Sequence, residues 1–220
     1  MTVVFVATGP DYDQDHFLAE VAGLDQAVFI GIDRGVSRLL EAGLPIELAI
    51  GDYDSVPLAV QWQAEAVAQH FIRLATDKDQ TDTEAAIEWA LNHYPDQAYY
   101  FYGIFGGRID HELSNLWLAY QPQLQDKLID MTFIGLSNRL KFYRPGTYQI
   151  SPLPDYDYLS FIGLTSIKNL TLTGVKYELD QVDYPYPIAL VSNEFISSDQ
   201  DMRLSFSHGL LMAIQSRDAG

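Results

Sequence analysis

Short apolar runs alternate with helical patterns over residues 1–136. The strand candidates are Val3–Ala7, Ala27–Ile32, Leu48–Ile50, Phe71–Leu74, Ala98–Tyr102 and Met131–Ile134. Most of these runs are continuously apolar or aromatic, which is typical of strands with both sheet faces covered. Helical spacing separates them, as in Leu113, Leu116, Trp117 and Tyr120. The alternation predicts an α/β domain with a mostly parallel sheet flanked by helices.

The pattern changes after about Ser137. Helical periodicity stops, and Gly, Pro, Asn and Asp interrupt short alternating runs. The strand candidates here are Leu140–Tyr143, Thr147–Ile150, Tyr158–Ile162, Leu170–Leu172, Val175–Leu179, Ile188–Val191, Met202–Phe206 and Leu210–Gln215. Short strands at this spacing indicate a small β-sandwich or barrel. We therefore expect two domains, an α/β domain over 1–136 and an all-β sandwich domain over 137–220.

Composition and charge limit the kinds of molecule that the protein is expected to bind. The chain has 13 Lys+Arg against 30 Asp+Glu, a formal net charge of −17, and no cysteine. Such a chain repels phosphate backbones and anionic lipid, so we expect no nucleic-acid and no membrane partner. No apolar run approaches the roughly 20 residues of a membrane span. The start of the chain reads as a strand rather than a signal peptide, which predicts a cytoplasmic protein.

Four polar clusters fall where strands of the first domain are expected to end. They are Asp33–Gly35, Gly51–Ser55, Asp77–Asp82 and Gly106–His111. Ligands of open α/β sheets bind at the carboxyl ends of the strands, so these clusters are expected to form one site. Gly9 and Pro10, after the first strand, indicate only a turn without a phosphate signature of its own.

Asp52 and Asp54 alternate around Tyr53, so in extended backbone both carboxylates would project to one side. Such a pair suits Mg²⁺, which takes one or two carboxylates and completes its coordination with water and phosphate oxygens. The alternative is a turn before a helix, with Ser55 as the N-cap and Pro57 in the first turn. The residues alone leave both interpretations open.

The acidic cluster at Asp77–Asp82 lies at a predicted helix start, where Thr81 and Glu84 fit a capping box. A helix dipole explains one or two acids. Three close carboxylates repel one another and are better explained by a bound cation; they are Asp77, Asp79 and Asp82. Lys78 and Thr81 add a positive charge and a hydroxyl that suit a phosphate.

The glycines of Gly106–Arg108 allow close backbone approach to a ligand, and Arg108 adds a fork suited to phosphate oxygens. A helix beginning near Asp110 would also favour an anion, with His111 and Asn115 one turn apart. The alternative is a glycine turn in which Arg108 pairs with a neighbouring acid. Carboxylates for a metal beside Lys, Arg and Gly for phosphate indicate metal-assisted phosphoryl chemistry on a nucleotide.

These loops, in this order, resemble the thiamine pyrophosphokinase family of the bacterial type. The family pattern has Asp-Gly/Arg-Gly, Gly-Asp-Phe-Asp-Ser, Asp-x-Asp-x-Thr-Asp and Gly-Gly-Arg-x-Asp-His loops, and this chain has Tyr53 in place of the phenylalanine. The second half resembles the family's thiamine-binding domain through Gly174–Tyr177 and Ser192–Glu194. The resemblance covers nearly the whole chain.

The resemblance implies Mg²⁺-dependent transfer of diphosphate from ATP to the thiamine hydroxyl, with release of AMP, at the subunit interface of a homodimer. The metal ligands it implies are Asp52, Asp54, Asp82 and Asp79. It also implies that Arg108 and Lys78 hold phosphates and that Thr81 lies near the transferred group. Asp33 and Asp110 would help to shape the site, and Asp110 could accept the hydroxyl proton. His111 and Asn115, in the adjoining loop and helix, are further candidate substrate-binding residues. Tyr177 would stack on a thiamine ring from the partner subunit, with Ser192 and Asn193 nearby.

Two other functions fit the same loops. One is a pyrophosphokinase for a different hydroxymethyl heterocycle, such as a pterin, which would keep the metal and phosphate loops and change the second domain's pocket. The other is a non-catalytic sensor of nucleotide or thiamine. The complete set of acidic loops disfavours the sensor, because binding alone does not require so many metal ligands.

Overall fold

The computed structural model describes residues 1–218, which form two compact units. Unit 1 comprises Met1–Gln125 and Asp130–Leu136, and unit 2 comprises Asp126–Ile129 and the chain from Ser137 onwards. Residues 219 and 220, the end of the predicted second domain, lie outside the described residues.

Unit 1 contains six strands. They are β1 (Thr2–Val6), β2 (Ala27–Ile32), β3 (Leu48–Gly51), β4 (His70–Arg73), β5 (Ala98–Tyr102) and β6 (Met131–Ile134). All pair in parallel, in the order β6-β5-β1-β2-β3-β4. The central strands are buried along nearly their whole length, as continuous apolar runs require. The predicted parallel sheet is confirmed.

Five helices connect these strands. They are α1 (Gln14–Ala22), α2 (Gly35–Glu41), α3 (Leu58–Val67), α4 (Asp82–His93) and α5 (Ile109–Trp117). The capping box at the start of α4 is present, with reciprocal bonds between Thr81 and Glu84. The expected N-cap at Ser55 is wrong: α3 begins at Leu58, its N-cap position is Pro57, and no side chain caps it. The Ser55 hydroxyl donates to Asp33.

Helix α5 carries its apolar side chains on the surface of unit 1. Ile109, Leu113 and Trp117 are 66%, 42% and 56% exposed, so the predicted helix forms but most of its apolar positions stay outside the core. None of the helices within residues 1–218 is long and apolar enough to cross a membrane.

The described part of unit 2 from Ser137 onwards contains eight strands. They are β7 (Asn138–Tyr143), β8 (Gly146–Ile150), β9 (Tyr158–Gly163), β10 (Ile167–Thr173), β11 (Leu179–Tyr184), β12 (Ile188–Asn193), β13 (Met202–Phe206) and β14 (Leu211–Ser216). Two antiparallel sheets result, β12-β9-β14-β7 and β11-β10-β13-β8. Side chains such as Leu159, Phe161 and Leu170 form a buried core. The predicted sandwich is confirmed. The predicted strand Val175–Leu179 does not form: Val175 makes an isolated bridge, and Leu179 begins β11.

Candidate active site

A cavity of about 450 Å³ lies at the carboxyl ends of the parallel strands of unit 1. Three of its walls directly follow strands: Ala7–Pro10 after β1, Asp33 after β2, and the loop beginning at Gly103 after β5. The start of α4 and the first two turns of α5 complete it. A parallel sheet places its ligand-binding loops at this edge, because every strand ends there.

The structure brings seven of the expected site residues to this cavity. They are Asp33, Lys78, Thr81, Asp82, Arg108, His111 and Asn115. Four other expected residues of unit 1 do not line it: Asp52, Asp54, Asp79 and Asp110. The expected thiamine-side residues, Tyr177, Ser192 and Asn193, belong to unit 2.

Asp33 is held at the end of β2 in a left-handed conformation, with φ of 49°. One carboxylate oxygen accepts a bond from the Ser55 hydroxyl at 3.3 Å, and the Arg34 Nε donates to that hydroxyl at 3.0 Å. The other carboxylate oxygen is buried and has no hydrogen-bond partner within residues 1–218. Burial raises the pKa of Asp33, and the nearby carboxylates of Asp82 and Asp52 raise it further. Asp33 is therefore an acid whose charge is poorly compensated.

Asp33→Asn is expected to change how stability depends on pH. Because the pKa of Asp33 is raised in the folded state, the wild-type chain binds this proton more tightly when folded. The wild-type free energy of unfolding should therefore fall relative to D33N as pH rises from the usual 3.8 through the raised pKa. Urea unfolding of both proteins across this range, without added metal, measures the difference. A difference that stays constant with pH would contradict the assignment.

The Asp52–Ser55 segment forms a turn. Tyr53 has a φ of 58°, and the Asp54 backbone N–H donates to the Asp52 side chain at 3.1 Å. The expectation of extended backbone is therefore wrong, and the turn of the alternative interpretation is present, although Ser55 is not the N-cap of α3. A left-handed residue reverses the chain locally, so alternation along the sequence does not fix the side-chain directions here.

The Tyr53 side chain is buried in unit 1 and stabilises this turn. Its ring is 2% exposed and stacks on Phe71 with centroids 5.0 Å apart. Gln61 donates to the Tyr53 carbonyl at 2.9 Å, and Arg73 donates to Gln61 at 2.7 Å. The buried Tyr53 hydroxyl has no hydrogen-bond partner within residues 1–218. Burial raises the pKa of Tyr53, and the charge of Asp33 raises it further.

Tyr53→Phe is expected to increase the free energy of unfolding of the chain without ligands by about 1 kcal/mol, because it removes a buried hydroxyl that has no partner. The matched control is Tyr99→Phe, since the Tyr99 hydroxyl donates to the Tyr94 carbonyl at 3.0 Å. That control should lose stability. Urea unfolding measures both, and a loss in Tyr53→Phe would show that its hydroxyl is bonded.

Lys78 and Asp82 form an ion pair at the cavity, with Nζ and Oδ1 2.8 Å apart and both side chains about one-fifth exposed. Thr81 accepts the backbone N–H of Glu84 at 3.2 Å as the N-cap of α4. Its hydroxyl hydrogen is not used by this bond, so Thr81 keeps a donor for a ligand. The start of α4 thus presents an ammonium group, a hydroxyl and the positive end of a helix dipole.

Arg108 pairs with its neighbour Asp110 through two contacts, Nε to Oδ1 at 3.1 Å and Nη2 to Oδ2 at 2.5 Å. The alternative left open by the sequence, a glycine turn with a paired arginine, is therefore what the structure contains. This pairing lowers the pKa of Asp110, which makes Asp110 a weaker proton acceptor. The buried side-chain amide of Asn115 stabilises the same loop by donating a hydrogen bond to the Ile104 carbonyl at 3.1 Å.

In unit 2, the amide of Asn193 is fully engaged by its neighbours. Its oxygen accepts the backbone N–H groups of Tyr177 and Glu194, both at 2.9 Å, and its nitrogen donates to the Tyr177 carbonyl at 3.0 Å. Lys176 pairs with Glu194 at 2.8 Å and lies 5.7 Å from the Tyr177 ring centroid. The Tyr177 ring is 60% exposed. Asn193 therefore fixes the segment that presents the Tyr177 ring.

The chemistry of the acidic side chains fits a hard cation such as Mg²⁺, which prefers carboxylate oxygens. Asp33, Asp52 and Asp82 lie close enough for the latter two charges to raise the pKa of the first. Within residues 1–218, however, no group of three or more acidic or histidine side chains is arranged to hold a metal ion. Because Mg²⁺ often binds through one or two carboxylates and substrate phosphates, these residues fit the ion together with a nucleotide.

Sequence reasoning missed the Ala7–Pro10 loop and Ser114, which also line the cavity. The loop carries no residue-type signal, since Gly9 and Pro10 indicate only a turn. Its amides are tied to the loop after β5, with the Gly9 N–H donating to the Gly103 carbonyl at 2.5 Å and the Asp11 N–H to the Phe105 carbonyl at 3.2 Å.

The fold and the cavity define an α/β protein with a polar ligand site at its strand ends, followed by a β-sandwich. Residues 23–131 match the family model described as thiamin pyrophosphokinase, catalytic domain, and residues 147–211 match thiamin pyrophosphokinase, vitamin B1 binding domain. The chain belongs to the thiamine pyrophosphokinase family.

Individual relatives agree over the whole length. The chain is 36% identical over 222 residues to the thiamine pyrophosphokinase of Bacillus subtilis (strain 168), covering 99% of each chain. A crystal structure of a thiamin pyrophosphokinase family protein from Enterococcus faecalis matches with a TM-score of 0.89 and 37% identity, over 100% of both chains. The Bacillus subtilis enzyme structure matches with a TM-score of 0.84 and 32% identity, again over 100% of both chains.

Proposed function

We propose that this protein transfers diphosphate from ATP to thiamine, giving thiamine diphosphate and AMP. The observation that carries the proposal is the cavity at the strand ends, where Lys78, Arg108 and Asp82 meet at the start of two helices. Cationic side chains, helix N-termini and carboxylates together suit a metal-bound triphosphate. We assign ATP to residues 1–136 and thiamine to residues 137–220, in line with the two family models matched.

The reaction is a substitution at phosphorus. The hydroxyl oxygen of thiamine attacks the β-phosphorus of ATP, and the bond from that phosphorus to the oxygen bridging to the α-phosphate breaks. AMP leaves with the bonding electrons, and the hydroxyl proton passes to water or to a carboxylate of the site. Lys78 and Arg108 bind phosphate oxygens, and Thr81 donates its hydroxyl hydrogen near the transferred group. Such positioning and charge stabilisation account for most catalysis of phosphoryl transfer.

Asp52, Asp54 and Asp82, with Asp79, would hold Mg²⁺, which when bound neutralises negative charge on the triphosphate. Tyr177 would stack on a ring of the vitamin, and its exposed side chain in unit 2 supports this role. Ser192 lies next to Asn193 on the same strand end and would contact the vitamin. His111 and Asn115 complete the nucleotide side of the cavity.

We further propose a cytoplasmic homodimer with the reaction at the subunit interface. What supports the dimer is the number of large apolar side chains left exposed on each unit. They include Ile109 and Trp117 on α5, and Tyr177, Val191 and Ile196 in unit 2, each more than half exposed. A second copy of the chain would bury such surfaces. Sedimentation equilibrium of the full chain measures the association.

Formation of AMP from ATP, measured with and without thiamine and with the product mass checked, tests the proposed reaction. The expected result is AMP that forms only when thiamine is present, together with a product heavier than thiamine by two phosphoryl groups. If AMP forms only with another hydroxymethyl heterocycle, such as a pterin, that compound is the substrate and the thiamine assignment is contradicted. ATP binding without AMP from any acceptor would identify a sensor instead.

A further inference from the structure

Arg38 lies behind the cavity wall formed by the loop after β1. It belongs to α2, which approaches β1 closely because Gly35 has no side chain: a Cβ there would fall 1.8 Å from the Val6 carbonyl oxygen. One turn later along α2, Arg38 reaches the Ala7–Gly9 backbone. It is not one of the residues that line the cavity.

The Arg38 guanidinium binds three successive carbonyl oxygens of this loop. Nη1 donates to the Ala7 carbonyl at 2.6 Å, and Nη2 donates to the Gly9 carbonyl at 3.0 Å and to the Thr8 carbonyl at 3.4 Å. One face of the guanidinium lies over the Tyr12 ring, with Cζ 3.9 Å from the ring centroid. The group is therefore held by backbone oxygens and an aromatic face, with no carboxylate partner among these contacts. Burial lowers the pKa of Arg38.

The three residues whose carbonyls Arg38 binds line the cavity, whereas Arg38 itself does not. Their carbonyl oxygens are thus drawn toward a group outside the cavity. Carbonyl oxygens carry partial negative charge and would repel the oxygens of a triphosphate placed beside this loop. A positive charge in a half-buried position behind the loop also acts on the cavity with less screening than a surface charge.

We propose that Arg38 is a positioning residue for nucleotide binding, which turns the Ala7–Gly9 carbonyl oxygens away from the space that the triphosphate occupies. The proposal rests on the proposed function, since it takes ATP as the ligand of this cavity. Gly103 belongs to the same arrangement: its backbone accepts the Gly9 N–H, and a Cβ at this position would fall 2.3 Å from the Arg38 Nη1. Arg38 touches no reacting atom and acts through the loop.

The test compares Arg38→Ala and Arg38→Lys with Val36→Ala, a buried position of the same helix whose side chain takes no part in the three loop bonds. Arg38→Ala is expected to raise the KM for ATP about tenfold while leaving the KM for thiamine unchanged. The reason is that only the phosphate-binding part of the site loses the ordered Ala7–Gly9 loop. Arg38→Lys should recover only part of this loss, since an ammonium group lacks the planar fork. Millimolar guanidinium ion should restore Arg38→Ala and leave Val36→Ala unaffected.

Three results would overturn the proposal: an unchanged KM for ATP in Arg38→Ala, an equal rise in Val36→Ala, or wild-type behaviour in Arg38→Lys. If urea unfolding shows that Arg38→Ala does not fold, Arg38→Lys alone tests the proposal, and a KM for ATP equal to that of the wild type would overturn it.

Calorimetry of ATP with Mg²⁺ separates this proposal from the proposed function. If the wild type binds ATP without forming AMP, the reaction is wrong, and equal ATP affinity in wild type and Arg38→Lys then overturns the role of Arg38. If the wild type does not bind ATP, both fail.

Discussion

Asp54→Asn is expected to lower thiamine-dependent AMP formation by about a thousandfold, because it removes a charge that would hold the metal-bound triphosphate. The loss should fall on kcat as well as on kcat/KM, since negative charge builds up on the oxygen that bridges to the α-phosphate as the bond to AMP breaks. Asp54 is exposed, and only its backbone N–H takes part in the turn, through the bond to the Asp52 side chain. The substitution should therefore leave the free energy of unfolding within about 0.5 kcal/mol of wild type.

The matched control for Asp54→Asn is Asp96→Asn. Asp96 is also an exposed aspartate of unit 1, but it precedes β5 and so lies at the opposite end of the strands from the cavity. Both variants lose one negative charge, so a general effect of net charge would appear in both. Steady-state rates at saturating ATP, thiamine and magnesium give the comparison. Near-normal turnover of Asp54→Asn would remove Asp54 from the mechanism.

Asn193→Ala is expected to affect both stability and thiamine use. It removes three hydrogen bonds and leaves backbone groups of Tyr177 and Glu194 without partners in a place where Asn193 is only 5% exposed. We expect a loss of about 2 kcal/mol in the free energy of unfolding. We also expect the KM for thiamine to rise about tenfold, because the Tyr177 ring is no longer held in one place, whereas the KM for ATP should stay unchanged.

The control for Asn193→Ala is Gln215→Ala, which removes the same kind of buried amide from unit 2. Gln215 accepts the Leu153 N–H at 2.8 Å and donates to the Ser151 carbonyl at 3.0 Å. It should lose similar stability without a change in the KM for thiamine. Urea unfolding and steady-state kinetics measure both variants. Equal thiamine KM values for the two variants would show that Asn193 acts on stability alone.

The site was predictable where residue type carried the signal. Asp33, Lys78, Asp82 and Arg108 follow predicted strands, and parallel strands end at one edge, so their convergence follows from the strand assignment. The capping box at Thr81 was equally local, since its two partners are three residues apart. The pairing of Arg108 with Asp110 was one of two local alternatives, and residue types could not choose between them.

The two-part architecture, the parallel sheet, the sandwich and the chemical character of the strand-end loops could all be predicted from the residue pattern. These features follow from periodicity and from short-range preferences of the backbone. Three features could be known only from the folded chain. Tyr53 makes a turn of the Asp52–Asp54 segment, Asn193 binds the backbone of Tyr177, and Arg38 holds the loop after β1. Each of these depends on contacts between residues far apart in the chain or on a left-handed backbone angle, and neither leaves a repeating pattern in the sequence.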